Sequence, residues 1–256
     1  MRLLSWNVRA GGGGRRTGQL DAIGLVAPDV IALQEVTFAS RETFVRALEA
    51  GGFHVLDSGD GAPAPNPIAP RQYVEVLASR CPLRALDQRR PLRWPEWFLS
   101  AVLEHPLGPI ELHTAHVPPG RSNRWHKIDA LEGIFATLTR GTRRGRRVFC
   151  GTLNTPRFEH VDGRVETWGH RPGRGDRWEQ AERQVLEGLA AHDLRDVFRD
   201  LGRAVGQFTW FAGETGRRYD HVFASQAMRP MACSYLHELR TRGLSEHSAA
   251  LVEFAI

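Results

Sequence analysis

The chain has 256 residues, 41% of them hydrophobic, enough to bury a substantial core, and we expect one large α/β domain over 1–256 rather than two small ones. Thirty-four Lys and Arg against 29 Asp and Glu leave a net charge of +5, which is compatible with a polyanionic partner without identifying one. Three cysteines (Cys81, Cys150 and Cys233) without metal-type spacing argue against a disulfide framework or a zinc site and suit a reducing compartment.

In chain order, runs rich in β-branched and aliphatic residues read as strands at "RLLSWNV", "DVIALQEV", "YVEVLAS", "FLSAVLEH", "IELHTAHV", "RRVFCGT", "YDHVFAS" and "SAALVEFAI". Helical patterns lie between several of them. One covers about Ser40 to Ala50 and stops at Gly51-Gly52. Another starts at Ser122, lines up Trp125, Ile128, Leu131, Ile134, Phe135 and Leu138, and ends before Gly141. A third opens with Asp176 and Glu179 as a capping box and carries Trp178, Ala181, Val185, Leu186 and Leu189 on one stripe. Apolar strands alternating with amphipathic helices predict sheets covered by helices.

The stretches "AGGGGRRTG" and "DSGDGAPAPNPIAPRQ" read as loops within the domain, and the basic run Arg140 to Arg147 as a solvated turn. The opening residues lack the apolar stretch of a signal peptide, and no segment approaches the ~20 apolar residues that span a bilayer. A cytoplasmic protein without membrane contact is therefore expected, and nothing in the sequence points to a protein partner.

At or just past the end of six strands sits a residue able to bind metal or move a proton. They are Asn7 in "SWNV", Glu35 in "LQEV", His116 in "HTAHVPPG", Asn154 in "GTLNTP", Asp220 in "RRYDHVFAS" and the pair Glu246-His247 in "LSEHSAALVEF". Alone, each is more often a turn former, a solvated group or a structural imidazole. Together, carboxylate and amide oxygens suit a hard cation such as Mg²⁺, histidines supply proton transfer or anion stabilisation, and strand ends are where open α/β sheets gather ligands. That inventory fits metal-assisted phosphoester hydrolysis.

The segments "LLSWNV", "DVIALQEV", "VLASRCPL", "ELHTAHVPPG", "VFCGTLNTP", "FTW…GRRYDHVFAS" and "LSEHSAALVEF" follow, in order, the motif series of the endonuclease/exonuclease/phosphatase superfamily, which the chain resembles from about Met1 to Ile256. The resemblance implies a four-layer α/β sandwich of two packed mixed β-sheets flanked by helices. It further implies Mg²⁺ or Mn²⁺ as cofactor and a phosphoester substrate, DNA or RNA among the options.

By the same resemblance, Glu35 is the principal metal ligand, Asn7 completes or orders its shell, and Glu246 stands where most members have aspartate. His247 acts on the scissile phosphate as general base or as a stabiliser of charge, and Asp220 fixes its tautomer. His116 matches the histidine that deoxyribonuclease-like members use near the leaving group. Glu75 falls about where its supporting glutamate lies, an outward-facing strand residue being an equal alternative. Asn154 donates to a phosphate oxygen, and Arg157 adds charge unless it is simply solvated.

One departure bears on activity. The family's "GDxN" loop is "GTLN" here, so Thr152 replaces an aspartate that positions or deprotonates water or protonates the leaving group. Loss of such a group costs roughly 10²–10⁴ in rate, or about 3–5 kcal/mol of barrier. A neighbouring carboxylate such as Glu246 takes over, or the chain is slow or only binds, or the substitution is an inactivating one. Three function classes follow: a metal-dependent phosphodiesterase or nuclease, a phosphate- or nucleic-acid-binding module without turnover, and a phosphatase for a small molecule. Among the tryptophans, Trp125 and Trp178 read as core, whereas Trp94, Trp97 and Trp168 are candidates for a substrate rim.

Overall fold

The computed structural model describes residues 1–61, 72–86, 92–120, 125–140, 145–160, 162–169, 176–202 and 206–256. In chain order the strands are β1 (Arg2–Asn7), β2 (Val30–Thr37), β3 (His54–Asp57), β4 (Tyr73–Ser79), β5 (Leu83–Ala85), β6 (Phe98–Leu103), β7 (Ile110–His116) and β8 (Arg146–Thr152). They continue as β9 (Phe158–Glu159), β10 (Val165–Glu166), β11 (Arg195–Asp196), β12 (Trp210–Ala212), β13 (Thr215–Arg217), β14 (Asp220–Ala224), β15 (Pro230–Leu236) and β16 (Ala249–Phe254). The longer helices are α1 (Arg16–Val26), α2 (Phe38–Ala50), α3 (Trp125–Leu138) and α4 (Asp176–Leu186).

Period-two alternation along the strands builds the layers. In β2, Val30 and Ala32 enter the core between the sheets, while Ile31 and Leu33 join Phe44 and Leu48 of α2 on the outer side. In β8, Val148 and Cys150 point inward, and Phe149 packs outward with Ile128, Leu131 and Ile134 of α3 and Val185 of α4. Both faces of each central strand are thus apolar, which is why these strands read as nearly continuous hydrophobic runs. One sheet has the order β15–β16–β1–β2–β4–β3 and the other β11–β14–β8–β7–β6–β5. Each is mixed, with β1 parallel to β2 and β7 parallel to β8. This is the α/β sandwich expected from the sequence. No described helix is long and apolar enough to cross a membrane.

Several local expectations are corrected. Helix α2 begins at Phe38 rather than Ser40, because Thr37 caps it: the Thr37 hydroxyl accepts from Ser40 N at 3.2 Å and Ser40 Oγ accepts from Thr37 N at 3.1 Å. Helix α1 begins inside the stretch read as a loop. It is held by a buried glutamine, Gln19, whose amide donates to Val8 O at 3.0 Å and Leu244 O at 2.7 Å. Trp125, expected in the core, is 45% exposed. Arg147, expected in a solvated turn, is buried, and its guanidinium donates to the carbonyls of Leu138 and His192. Ser122, Gly141 and the rest of the basic run's centre, 142–144, lie outside the described residues. The three cysteines are free thiols.

Register delivers the polar strand ends to one place. Thr152, the last residue of β8, sits opposite His116 in the parallel pair with β7 and opposite Asp220 in the antiparallel pair with β14. Just before it, Gly151 has φ 142°, and a Cβ there would collide with the carbonyl of Ala115. Gly151→Ala is expected to destabilise the chain by at least ~2 kcal/mol through overpacking and backbone strain. Urea unfolding of the variant against wild type checks this; an unchanged midpoint would refute the close approach.

Candidate active site

Asn7, Glu35, Thr152, Asp220 and His247 form one continuous hydrogen-bonded chain. Asn7 Nδ2 donates to Glu35 Oε1 at 3.0 Å and to Thr152 Oγ1 at 3.1 Å. The Thr152 hydroxyl donates to Asp220 Oδ1 at 2.7 Å, and Asp220 Oδ2 lies 2.8 Å from His247 Nδ1. Asn7 and Glu35 come from one sheet, Thr152 and Asp220 from the other. The backbone around His247 is fixed independently: Ser245 Oγ donates to Asn7 O at 2.6 Å and accepts from His247 N at 3.1 Å, while Trp6 Nε1 donates to His247 O at 3.2 Å.

The segment that presents Glu35 is not regular strand. Pairing of β2 with β4 slips between Leu33 and Val36, and Glu35 takes a left-handed φ of 57°. Such a bulge re-aims a side chain at a sheet end. Its Oε2 then accepts from Ala10 N at 3.0 Å. Among the described non-glycine residues with positive φ (Arg9, Ala10, Ala27, Glu35, Asn154, Asp193 and Arg229), Arg9, Ala10, Glu35 and Asn154 line one pocket. Strained backbone held in place by its surroundings concentrates at functional sites.

That pocket has a volume of about 620 Å³. Glu35, Asn154 and His247 lie in it with Arg9, Glu246 and Arg217, and its walls include Tyr73, Trp168, Trp178, Trp210 and Tyr219. Four of these, Arg9, Tyr73, Arg217 and Tyr219, were not singled out from the sequence. Arg9 lies two residues past Asn7, and Arg217 and Tyr219 flank Arg218 in "GRRYD", so proximity to the motifs was the available signal.

The electrostatics divide the two histidines. Burial works against a charged His247, but the charge and hydrogen bond of Asp220, with Glu35 and Glu246 beyond, outweigh it and raise its pKa above the ordinary histidine value. Burial depresses the pKa of His116, with His247 adding to the effect and Glu35 only partly opposing it. For Glu35, burial pushes the pKa upward, yet His116, His247 and the bonds from Asn7 and Ala10 hold the carboxyl below its usual range. Asp220 is lowered likewise: burial opposes its charge, and His247, Thr209 and Thr152 overcome that.

The remaining predicted residues divide. His116 is buried with Nδ1 3.7 Å from Glu35 Oε1 and no hydrogen-bond partner on that atom; the Tyr73 ring meets it edge-on at 5.7 Å. Glu75 is a correction on both counts. It is fully buried, not outward-facing, and it accepts from Thr114 Oγ1 at 3.0 Å instead of bonding His116. Burial raises its pKa well above the usual carboxylate value. Thr152 is also fully buried and does not line the pocket. Asn154 Nδ2 donates to Val117 O at 2.8 Å. Glu246 is ion-paired with Arg9 at the mouth, both about half exposed. Arg157 lies outside the pocket walls, 3.9 Å from Glu166 Oε2.

A model of the endonuclease/exonuclease/phosphatase family matches residues 4–239. The chain belongs to that family. Among solved structures, an AP endonuclease from Archaeoglobus fulgidus shares 18% identity over 100% of both chains with a TM-score of 0.75. A humanized D. rerio TDP2 carrying 14 mutations shares 17% over 100% of this chain and 99% of its own, with a TM-score of 0.71. The 3′ phosphatase NExo from Neisseria, bound to product DNA hairpin, shares 18% over 100% of both chains with a TM-score of 0.70. No curated protein matches the sequence. These likenesses establish the shared fold; family members are phosphoester hydrolases and generally use divalent metals.

The donors fit a divalent cation of the Mg²⁺ type. Among the described residues no group of three or more His, Cys, Asp or Glu converges to cage an ion. Glu35 instead offers an ionised carboxylate to the pocket with no Lys or Arg paired to it, and Glu246 stands at the mouth. One or two carboxylates, completed by water and substrate phosphate, are how Mg²⁺ is commonly held. Asn7 orders Glu35 through its Nδ2, while its Oδ1 accepts from Arg9 N at 2.9 Å.

Asp220→Asn is expected to lower the pKa of His247, read from its imidazole NMR signals. The stabilisation from the pair is present between the two pKa values. It is lost as pH rises through the raised value of His247, and as pH falls through the lowered value of Asp220. A wild-type stability advantage over the variant that does not shrink on the alkaline side would contradict the assignment.

Proposed function

We propose that the chain is a divalent-metal-dependent hydrolase of phosphodiesters in nucleic acid. The observation that carries this is the placing of His247 and Glu35 in one pocket, joined through Asp220, Thr152 and Asn7, with the pKa of the histidine raised and that of the carboxylate lowered. Groups whose environments push their charges apart are how one site supplies both acid and base. The AP endonuclease and the DNA-bound 3′ phosphatase among the similar structures support nucleic acid as the substrate class, as do Arg9 and Arg217 in the pocket.

Glu35 and substrate phosphate would hold the cation, and when bound it would supply positive charge to polarise the phosphoryl oxygen. His247, kept protonated by Asp220, presents its other ring nitrogen to the phosphoryl group and stabilises the charge that develops there. Asn154 offers its second amide hydrogen to a phosphate oxygen. His116, held neutral against Glu35, is the group able to accept a proton from water. Glu246, ion-paired with Arg9, would be a second carboxylate available to the cation. Mg²⁺ or Mn²⁺ serves as the ion.

The hydrolase reading expects turnover of bis(p-nitrophenyl) phosphate and of DNA with Mg²⁺ or Mn²⁺, lost in EDTA. Glu35→Gln should lower kcat by about 10²-fold or more. Metal-independent turnover would overturn it.

A second reading, a binder without turnover, is favoured by one observation: Thr152 brings no acid–base group to its buried position. Thr152→Asp separates the two. On the hydrolase reading, wild type already turns over, and the variant gains at most the ~10²–10⁴ that a positioned acid or base supplies. Hydrolysis that appears only in the variant would make the natural chain a binder.

A further inference from the structure

We infer that the aromatic side of the pocket is a slot for one unpaired nucleobase, so that the preferred substrate carries its scissile phosphate next to a base that is not in a duplex. This rests on the phosphodiesterase reading. The antiparallel hairpin β12–β13 places Trp210 directly opposite Arg217. The Arg217 guanidinium lies over the Trp168 ring, 4.8 Å from its centroid, and Tyr219 stacks on Trp210 at 5.4 Å with the planes 25° apart. Trp168 also hydrogen-bonds Tyr219. The four side chains make one wall, with His247, Glu35 and Asn154 in the same cavity.

The wall is built rather than incidental. Trp168, Trp210 and Arg217 are only partly buried although Arg217 lies over Trp168 and faces Trp210 across the hairpin, and Arg217 forms no ion pair among the described residues. Its guanidinium donates to the backbone carbonyl of Arg157. Ring faces beside an uncompensated guanidinium are what single-stranded nucleic acid stacks on, and every base has a face to offer. A volume of about 620 Å³ lies within the range of pockets that enclose a small organic ligand.

Stacking on these rings only replaces the stacking a base gives up on leaving a duplex, and the broken pairing is an added cost. The wall therefore selects bases that are already free, at a strand end, in a gap or in a single strand, and the larger surface of a purine should be held best.

Three short oligonucleotides test this: a single strand, the same strand with a tetrahydrofuran abasic residue at the terminal position, and a blunt duplex. Binding is measured by fluorescence anisotropy in EDTA, and cleavage with Mg²⁺ or Mn²⁺. The expected result is that the base-bearing single strand binds about tenfold tighter than its abasic counterpart. It should also be cleaved with a kcat/KM about tenfold or more above the duplex.

Trp168→Leu and Trp210→Leu should reduce the base preference to within about twofold, with Tm measured on each variant to confirm folding. If either fails to fold, Arg217→Gln replaces it and should likewise reduce the preference. Equal binding of base-bearing and abasic strands, or preference for the duplex, overturns the slot. Base-dependent binding with no cleavage under any metal sinks the hydrolase reading while leaving the slot standing. Cleavage without base preference does the reverse.

Discussion

The hydrogen-bonded chain from Glu35 through Asn7, Thr152 and Asp220 to His247 is the constraint on which the rest of the site depends. All its members except the partly exposed Glu35 are buried, and it crosses from one sheet to the other. In such surroundings an unmatched carboxylate would take up a proton rather than remain charged. Asp220 stays ionised because it meets Thr152 on one oxygen and His247 on the other; Glu35 stays ionised because Asn7 and Ala10 each donate to it. Networks of this kind stand or fall together, since removing one donor strands its neighbour. The sheets can be packed by any well-shaped apolar side chains. Their relative position at this edge is set by polar contacts only a few residues can make.

A second buried device steadies the pocket from the helical side. Lys127 of α3 is paired with Glu182 of α4, both essentially without solvent contact. Lys127 Nζ also donates to Asn154 O at 2.9 Å, and Glu182 Oε2 accepts from Gly169 N at 2.9 Å. A buried ion pair gains little net stability over an apolar pair of the same shape, so stability alone is a weak reason for it. Its two ends hold the left-handed turn at Asn154 and the backbone beside Trp168. The packing of α3 on α4 thus reaches both the Asn154 loop and the aromatic wall.

How much of this was legible in sequence follows from the range of each interaction. The layers were readable because apolar alternation is local and repeats along every strand. Asn7, Glu35, Asp220 and His247 could be gathered at one end because each closes or follows such a run within an ordered motif. Helix α1 was not, since its anchor is a single glutamine reaching Leu244, 225 residues away. Glu75 was misjudged because strand alternation gives a side but not a partner, and its partner Thr114 lies on another sheet. Trp125 shares the spacing of the core-facing residues of α3, yet its place at the described start of that helix leaves it exposed beside the pocket residue Trp178.

The same chain gives Thr152 its meaning. An aspartate there would face Asp220 across the 2.7 Å contact that the hydroxyl now makes. Two carboxylates sharing so close a site cannot both ionise, and one of them would keep a proton. Protonated, that aspartate would donate to Asp220 and accept from Asn7, and the threonine hydroxyl does both. The substitution therefore reproduces the neutral form of the missing acid and removes only its capacity to release the proton. Architecture and proton transfer, which one aspartate would combine, are separated in this chain. The groups left to move protons are His247 in the pocket, its pKa raised by Asp220 against burial, and His116, buried beside Glu35 outside the pocket walls, its pKa lowered by burial.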